Sequence, residues 1–308
     1  MKRVIITGAS GFIGRALTRE FLDSGADVWA VVRERDSLDG LDSERLRIVL
    51  AAFEEYAALP MLIEERGFDA FFHFAWAGYG SQTNDIMVQT ANIIQSSQAA
   101  TAAAELKVDR FVFADSSHEY LTSKSRGKGD SLCSIYGAAK RSAQQMCRVI
   151  CGNHGIDFIG VLFTNIFGVG DRSSRSTNTF LRRLLSGQDL DLIEGDNLYD
   201  WTYIDDCIRG VLAAAKLGKH GKVYYVGSEK LRPFSEIIRE VRDAVNPKAK
   251  LNFGRYQDNT YIDYRQIDIY ELYRDTGCLP VCEFRTSVMK TADWMRTLDT
   301  EGRGDRYA

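Results

Sequence analysis

No stretch of this 308-residue chain approaches the roughly 20 consecutive apolar residues of a membrane-spanning helix. No run of lysines and arginines stands out, and the formal net charge is -3. Neither nucleic acid nor a membrane surface is therefore an expected partner. Histidine is scarce, with four in the chain, so the six cysteines have few partners for a zinc site. Cys147/Cys151 and Cys278/Cys282 also lack the closer spacing such sites prefer, and six cysteines at this length form no disulfide framework. We expect reduced, structural cysteines, no metal, and a cytoplasmic protein. The first strand begins at residue 2 or 3, which leaves no room for a signal peptide. What is present is an ordinary globular composition, 45% hydrophobic and 26% charged, long enough to bury a sizeable core.

Strand-like and helix-like segments alternate through the first half. Strands are expected at 3–7, 27–32, 47–51, 70–75, 110–114 and 157–163, with helices at 12–25, 54–66, 84–106 and 134–153. Near-continuous apolar strands separated by helices imply an α/β fold, a Rossmann-type doubly wound parallel sheet covered on both faces. The rhythm breaks at the polar, glycine- and serine-rich segment 168–179, which reads as a loop. A helix at 205–217 and a strand at 222–227 rejoin the sheet. Residues 1–168 with about 200–227 thus form a dinucleotide-binding domain. Residues 169–199 and 228–308 form a smaller C-terminal substrate-binding lobe.

Ligands of such sheets bind where the strands end. Directly after the first strand stands TGASGFIG (7–14), whose glycines let backbone N–H groups and a helix N-terminus approach a pyrophosphate. Gly8, Ser10, Gly11, Phe12, Ile13 and Gly14 are the expected cradle, although the G-x-x-G-x-x-G spacing differs from the commoner fingerprint. An acidic residue at the end of the second strand would favour NAD; this chain has Arg33, which can stack on adenine and pair with the 2′-phosphate of NADP. Arg15 can join it. NADP is the expected cofactor, with NAD the alternative.

Tyr136 and Lys140 lie four apart, on one face of the helix after the fifth strand. An ammonium beside a phenol favours the phenolate, so the pair can move a proton to or from a sugar hydroxyl. Ser116, in ADSSHEY at the end of the fifth strand, can hydrogen-bond the same substrate oxygen.

TGASGFIG, His73-Phe74-Ala75, Asn92, Ser116 and Tyr136-x-x-x-Lys140 together resemble the extended short-chain dehydrogenase/reductase family. This is the branch of nucleotide-sugar epimerases, dehydratases and reductases. The resemblance continues through Asn165, Asp200-Trp201-Thr202-Tyr203-Ile204-Asp205-Asp206 and SVMKTADW. It implies Ala75 at the cofactor, Ser117 and Asn165 at a nucleotide-sugar substrate, and a homodimer through helices 84–106 and 134–153. The apolar faces of those helices can equally pack inside the monomer.

Counted without a gap, Ser117 and His118 stand where the resembling 4,6-dehydratases carry an Asp-Glu pair, which argues against dehydration. His118 falls where related fucose synthases use an acid/base in epimerisation; it can titrate near neutral pH or only orient substrate. The arginines that the family often carries three residues before Asn165 and directly before Asp200 are replaced by Leu162 and Tyr199. Arg172, Arg175 and Arg265 are candidates to meet the diphosphate instead. The leading expectation is an NADP-dependent reductase of a nucleotide-linked 4-keto-6-deoxyhexose, with Tyr136 as proton donor. The alternative is a UDP-hexose-like 4-epimerase with tightly bound NAD, ahead of a dehydratase or a non-catalytic dinucleotide sensor.

Overall fold

The structure, a computed structural model, describes residues 1–124 and 134–300. Cys133 and the last eight residues of the expected C-terminal lobe lie outside the described residues. Seven parallel strands form the central sheet: β1 (Arg3–Thr7), β2 (Asp27–Val32), β3 (Leu46–Leu50), β4 (Phe68–His73), β5 (Val108–Ser116), β6 (Asp157–Phe163) and β7 (Val223–Val226). Their spatial order is β3-β2-β1-β4-β5-β6-β7, so the direction of winding reverses between β1 and β4. A crevice opens there at the carboxyl ends of the strands, the usual ligand position of a doubly wound sheet.

Side chains alternate across each strand and divide the core in two. Ile5, Trp29, Val31, Phe71, Phe111 and Phe113 face one side, where they pack against α2 (Ile86–Glu105) and α3 (Ile135–Asn153). The alanines of α2 (Ala99, Ala100, Ala102, Ala103) let that helix lie close on the aromatic layer. Val4, Ile6, Phe72, Val112 and Ile159 face the other side, against α1 (Phe12–Asp23) and α5 (Ile204–Leu217). The same buried cluster continues into α4 (Ser176–Leu185), α6 (Phe234–Val245) and α7 (Phe284–Thr300) through Leu181, Ile238 and Val288.

Two expectations need correction. The helix expected at 54–66 is a 3₁₀ segment, Phe53–Ala58, followed by a single turn, Leu59–Leu62. Pro60 has no N–H to extend the hydrogen-bond ladder of the preceding turn. The loop expected at 168–179 ends early, because α4 begins at Ser176. Serine and threonine there resemble turn chemistry, but the buried stripe Thr177, Leu181 and Leu184 carries the segment into a helix. A short parallel pair, Asn165–Phe167 with Trp201–Tyr203, continues beyond the sheet and leads into α5. Asp200 anchors it: the buried carboxylate accepts from Tyr225 Oη at 2.5 Å, Ser228 N–H at 2.8 Å and Thr202 Oγ1 at 3.1 Å.

Among the described residues, no helix is long and apolar enough to cross a membrane. Cys147, Cys151, Cys207, Cys278 and Cys282 are free thiols.

Candidate active site

The glycine loop closes the crevice at the end of β1, and each glycine answers a different steric demand. Gly8 has a left-handed backbone (φ +70), and a Cβ there would stand 2.6 Å from Ala75 N, so the loop lies directly on the end of β4. A Cβ on Gly14 would stand 2.1 Å from Gly8 O, so α1 packs against its own entry loop. At Gly11 a Cβ would meet only Gly8 O, at 3.3 Å. Gly11 is also the N-cap of α1, with no side-chain cap and no acidic residue in the first turn. The helix N-terminus therefore offers free N–H groups and positive potential across an open backbone, which suits a pyrophosphate.

A cleft of about 220 Å³ runs from this loop to the end of β5. Gly8, Gly11, Phe12, Ile13, Gly14, Ser116, Ser117, His118, Tyr136, Lys140, Asn165 and Arg175 all border it. The structure thus collects residues from five separated stretches of sequence in one space. β5 runs two residues beyond the expected 114, which puts Ser116 at its last position. Ser134 caps α3 by accepting from Gly137 N–H at 3.0 Å, and Tyr136 N–H donates to Thr83 O at 2.9 Å. Tyr136 is thereby fixed in the first turn of α3.

The chemistry of the Tyr136–Lys140 pair differs from the expectation. Lys140 Nζ donates to Ala114 O at 2.8 Å and lies 3.8 Å from the centroid of the Trp76 ring. It does not depress the phenol. Burial pushes Tyr136 well above the ordinary tyrosine range, opposed by a hydrogen bond with Ser116 and by the charge of Arg175. Burial also brings Lys140 down to about 8, opposed first by the charge of Asp115. His118 is lowered by burial and by Arg175, so its ring is neutral at pH 7.

Depressing a lysine from its ordinary value to about 8 costs about 3 kcal/mol of stability at neutral pH, because the unfolded chain binds the proton more tightly. That cost is present below pH 8 and is relieved as pH rises towards the unfolded value near 10.5. Stability attributable to this group therefore increases with pH in that window. We expect the difference in unfolding free energy between the wild type and Lys140→Met to shift in favour of the wild type between pH 7 and 10. Denaturant unfolding of cofactor-free protein at the two pH values checks this, and a difference that does not change with pH would refute it.

Two aromatic residues complete the wall and escaped the sequence reading. Trp76 and Tyr79 stand in the loop after β4, with ring centroids 5.9 and 5.6 Å from that of Tyr136. His118 packs edge-on against Tyr136 at 5.5 Å. α2 clamps this loop: Asn92 accepts from Ala77 N–H at 2.8 Å and donates to Ala77 O at 3.0 Å. Gln89 accepts from Trp76 Nε1 at 3.1 Å and donates to Gln82 O at 2.9 Å. Their signal in the sequence was position: aromatics directly after a strand that ends at the winding reversal.

Other expected site residues lie elsewhere. Of the three candidate arginines, only Arg175 enters the cleft; its guanidinium lies 4.9 Å from the Tyr79 ring, and its buried Nε has no hydrogen-bond partner. Arg172 is exposed and does not line the cleft. Arg265 is tied to Asp263 by two bonds of 2.7 and 2.8 Å, also outside the lining. Arg15 donates to Ser37 O at 2.8 Å and to Asp39 O, holding the segment after β2, while Arg33 is exposed at that strand's end. Ser10 is exposed and Ala75 backs the loop; neither borders the cleft. His73 is buried between Thr7 and Ser96, at 2.9 and 3.0 Å, and burial lowers it to about 3, so it is a neutral structural bridge.

A family model described as "NAD dependent epimerase/dehydratase family" matches residues 4–227. UDP-glucuronate 4-epimerase 3 of Arabidopsis thaliana is 23% identical over 330 residues, covering 94% of this chain and 76% of its own. A dTDP-glucose 4,6-dehydratase of Neisseria meningitidis is also 23% identical, over 96% of this chain and 93% of its own. Among solved structures, UDP-glucuronic acid 4-epimerase from Bacillus cereus, in complex with UDP-glucuronic acid and NAD, superposes with a TM-score of 0.77. It is 22% identical, covering 96% of this chain and 99% of its own, and shares the fold.

Proposed function

The chain belongs to the NAD dependent epimerase/dehydratase family, and we propose that it is a nucleotide-sugar 4-epimerase that retains NAD through each turnover. The observation that carries this reading is the cleft itself. It joins a pyrophosphate cradle to a proton-transfer centre, Tyr136 with Ser116; among the described residues the one carboxylate residue on its wall, Asp115, is bonded to Ser116 N–H and Gln144, and Glu119, the glutamate nearest in sequence to His118, is not among its lining residues. A centre of that kind serves oxidation and reduction at a single carbon. Removing water from a sugar needs a further acid–base pair, so dehydration is not favoured. Relatives named as 4-epimerases, one of them solved with NAD, support the same choice over net reduction.

When bound, the dinucleotide supplies hydride acceptance and return at the sugar carbon. Gly8, Gly11 and Gly14 with the N-terminus of α1 would hold its pyrophosphate, and Lys140 its nicotinamide ribose. In the oxidative direction the phenol oxygen of Tyr136, as the phenolate that the positive charge of a bound oxidised nicotinamide would favour, takes the proton of the sugar hydroxyl, and it returns that proton in the other direction. Ser116 bonds the same sugar oxygen and keeps it within reach of Tyr136. His118, neutral among Tyr79 and Tyr136, orients the ring and can exchange a proton with it. Arg175 is the cleft's free cation among the three candidates and is assigned to the anionic part of the substrate.

A homodimer is part of this proposal. Ile94 on α2 and Met146 and Val149 on α3 are exposed apolar residues on helices that pack side by side.

Arg33, in the position where an acidic residue would take the ribose 2′-hydroxyl, favours a second reading as an NADPH-dependent reductase of a 4-keto-6-deoxyhexose nucleotide. Denaturing the purified protein and identifying the released dinucleotide separates the two. Released NAD, with interconversion of 4-epimers, is the expected result. An empty site that prefers NADPH would reverse the order of the two readings.

A further inference from the structure

Two carboxyl groups that the proposed chemistry does not use lie buried beside Lys140. Asp115 is the penultimate residue of β5, and Glu119 stands in the 3₁₀ turn that follows. Asp115 Oδ1 accepts from Ser116 N–H and Oδ2 from Gln144 Nε2, each at 2.9 Å. Glu119 Oε2 lies 3.6 Å from Arg141 Nε. Its Oε1 is buried and has no donor from which to accept. Arg141, which pairs with Glu119, and Gln144, which holds Asp115, are three residues apart on one face of α3, so the two carboxyls are neighbours.

Two ionised carboxylates in contact inside a protein repel strongly, and a buried carboxylate oxygen without a donor is costly. One proton removes both penalties. If Glu119 carries it, Oε1 becomes a donor and Asp115 its acceptor. Burial and the Asp115 charge both push the Glu119 carboxyl well up, and the opposing charges are Arg141 and Lys140 on α3. Tyr120 in the same turn also feels both carboxyl charges, Tyr136 feels that of Asp115, and Cys147 and His73 lie in the field of Lys140.

We propose that Glu119 is a positioning residue that holds a proton at neutral pH and donates it in a hydrogen bond to Asp115. It thereby fixes the one buried negative charge that keeps the Lys140 ammonium protonated at the cleft. The same Asp115 carboxylate holds the backbone of Ser116, so a single proton sets both the charge of Lys140 and the position of the residue next to Tyr136. The importance of Lys140 for turnover rests on the function proposed above; the proton on Glu119 does not.

The first test compares the infrared spectra of wild type and Glu119→Gln at pH 7. A carboxylic-acid C=O band present in the wild type and lost in Glu119→Gln is expected; spectra without that difference mean an ionised Glu119 and overturn the proposal. The second test follows the alkaline rise in stability assigned to Lys140, located by subtracting Lys140→Met. In Glu119→Leu that rise should move to lower pH, because a buried carboxylate left without its donor is costly, so that Asp115 takes up the proton and its charge is lost to Lys140. In Glu119→Gln, which still offers a donor, it should stay in place. If Glu119→Leu does not fold, Asp115→Asn, which removes the charge itself, should show the same downward movement. A rise that does not move in whichever variant folds overturns the positioning role. None of these readouts needs turnover, so an enzyme inactive on every nucleotide sugar would refute the proposed function and leave this proton where it is.

Discussion

Tyr136→Phe is expected to lower kcat by about 10³-fold, the range for loss of a positioned proton donor or acceptor, without loss of bound dinucleotide. Among the described residues the hydroxyl's side-chain hydrogen-bond partner is Ser116, while the ring keeps its packing against Trp76, Tyr79 and His118. The variant should therefore fold and fill its cofactor site normally. Single-turnover rates and the dinucleotide released on denaturation measure the two properties separately. A kcat within tenfold of the wild type would remove Tyr136 from the proton-transfer role and make His118 the group to examine next. Unchanged behaviour in every assay would instead fit a dinucleotide sensor.

The second large effect is structural. Alanine in the middle of a helix is ordinarily better than glycine by about 0.5–1 kcal/mol, yet Gly14→Ala should destabilise the protein by about 3 kcal/mol. The new methyl would sit 2.1 Å from Gly8 O and 3.1 Å from Ala9 Cα, both backbone atoms of a loop that is itself pressed against β4. α1 must then move off the loop, and its N-terminus moves away from the place where a pyrophosphate would sit. Both the denaturant midpoint and the amount of co-purifying dinucleotide should fall. Gly11→Ala is the control, since its methyl would meet only Gly8 O at 3.3 Å. It should leave stability nearly unchanged while weakening cofactor binding. If Gly14→Ala kept full stability and dinucleotide content, close packing of helix on loop would not be the reason for glycine there.

The parts of this site that could be read in advance are those whose chemistry is local. A strand, a glycine turn and a helix are contiguous in residues 3–23, and the four-residue spacing of Tyr136 and Lys140 is a property of one helix. Ser116 follows from being the end of a strand. Arg175 could not be told from Arg172 or Arg265, because all three lie in polar segments and nothing local to them says which turns inward. Only packing decides it: Arg265 has Asp263 two residues away to pair with, whereas Arg175, at the N-cap of α4, lies over Tyr79. Arg15 looked free to meet a 2′-phosphate until the segment after β2 brought the carbonyls of Ser37 and Asp39 to it.

The sequence by itself determined the alternating α/β plan, the position of the glycine turn and the spacing of the residues proposed for proton transfer, because periodicity and short spacings are carried by neighbouring residues. The tertiary structure decided the electrostatics. Whether Lys140 tunes a phenol or sits at about 8 against Ala114 O and Trp76, and whether Glu119 faces the cleft or a second carboxylate, depends on burial and on partners far along the chain. Desolvation and Coulomb energies grow as water is removed, and no spacing in a sequence states how much water a folded chain leaves behind.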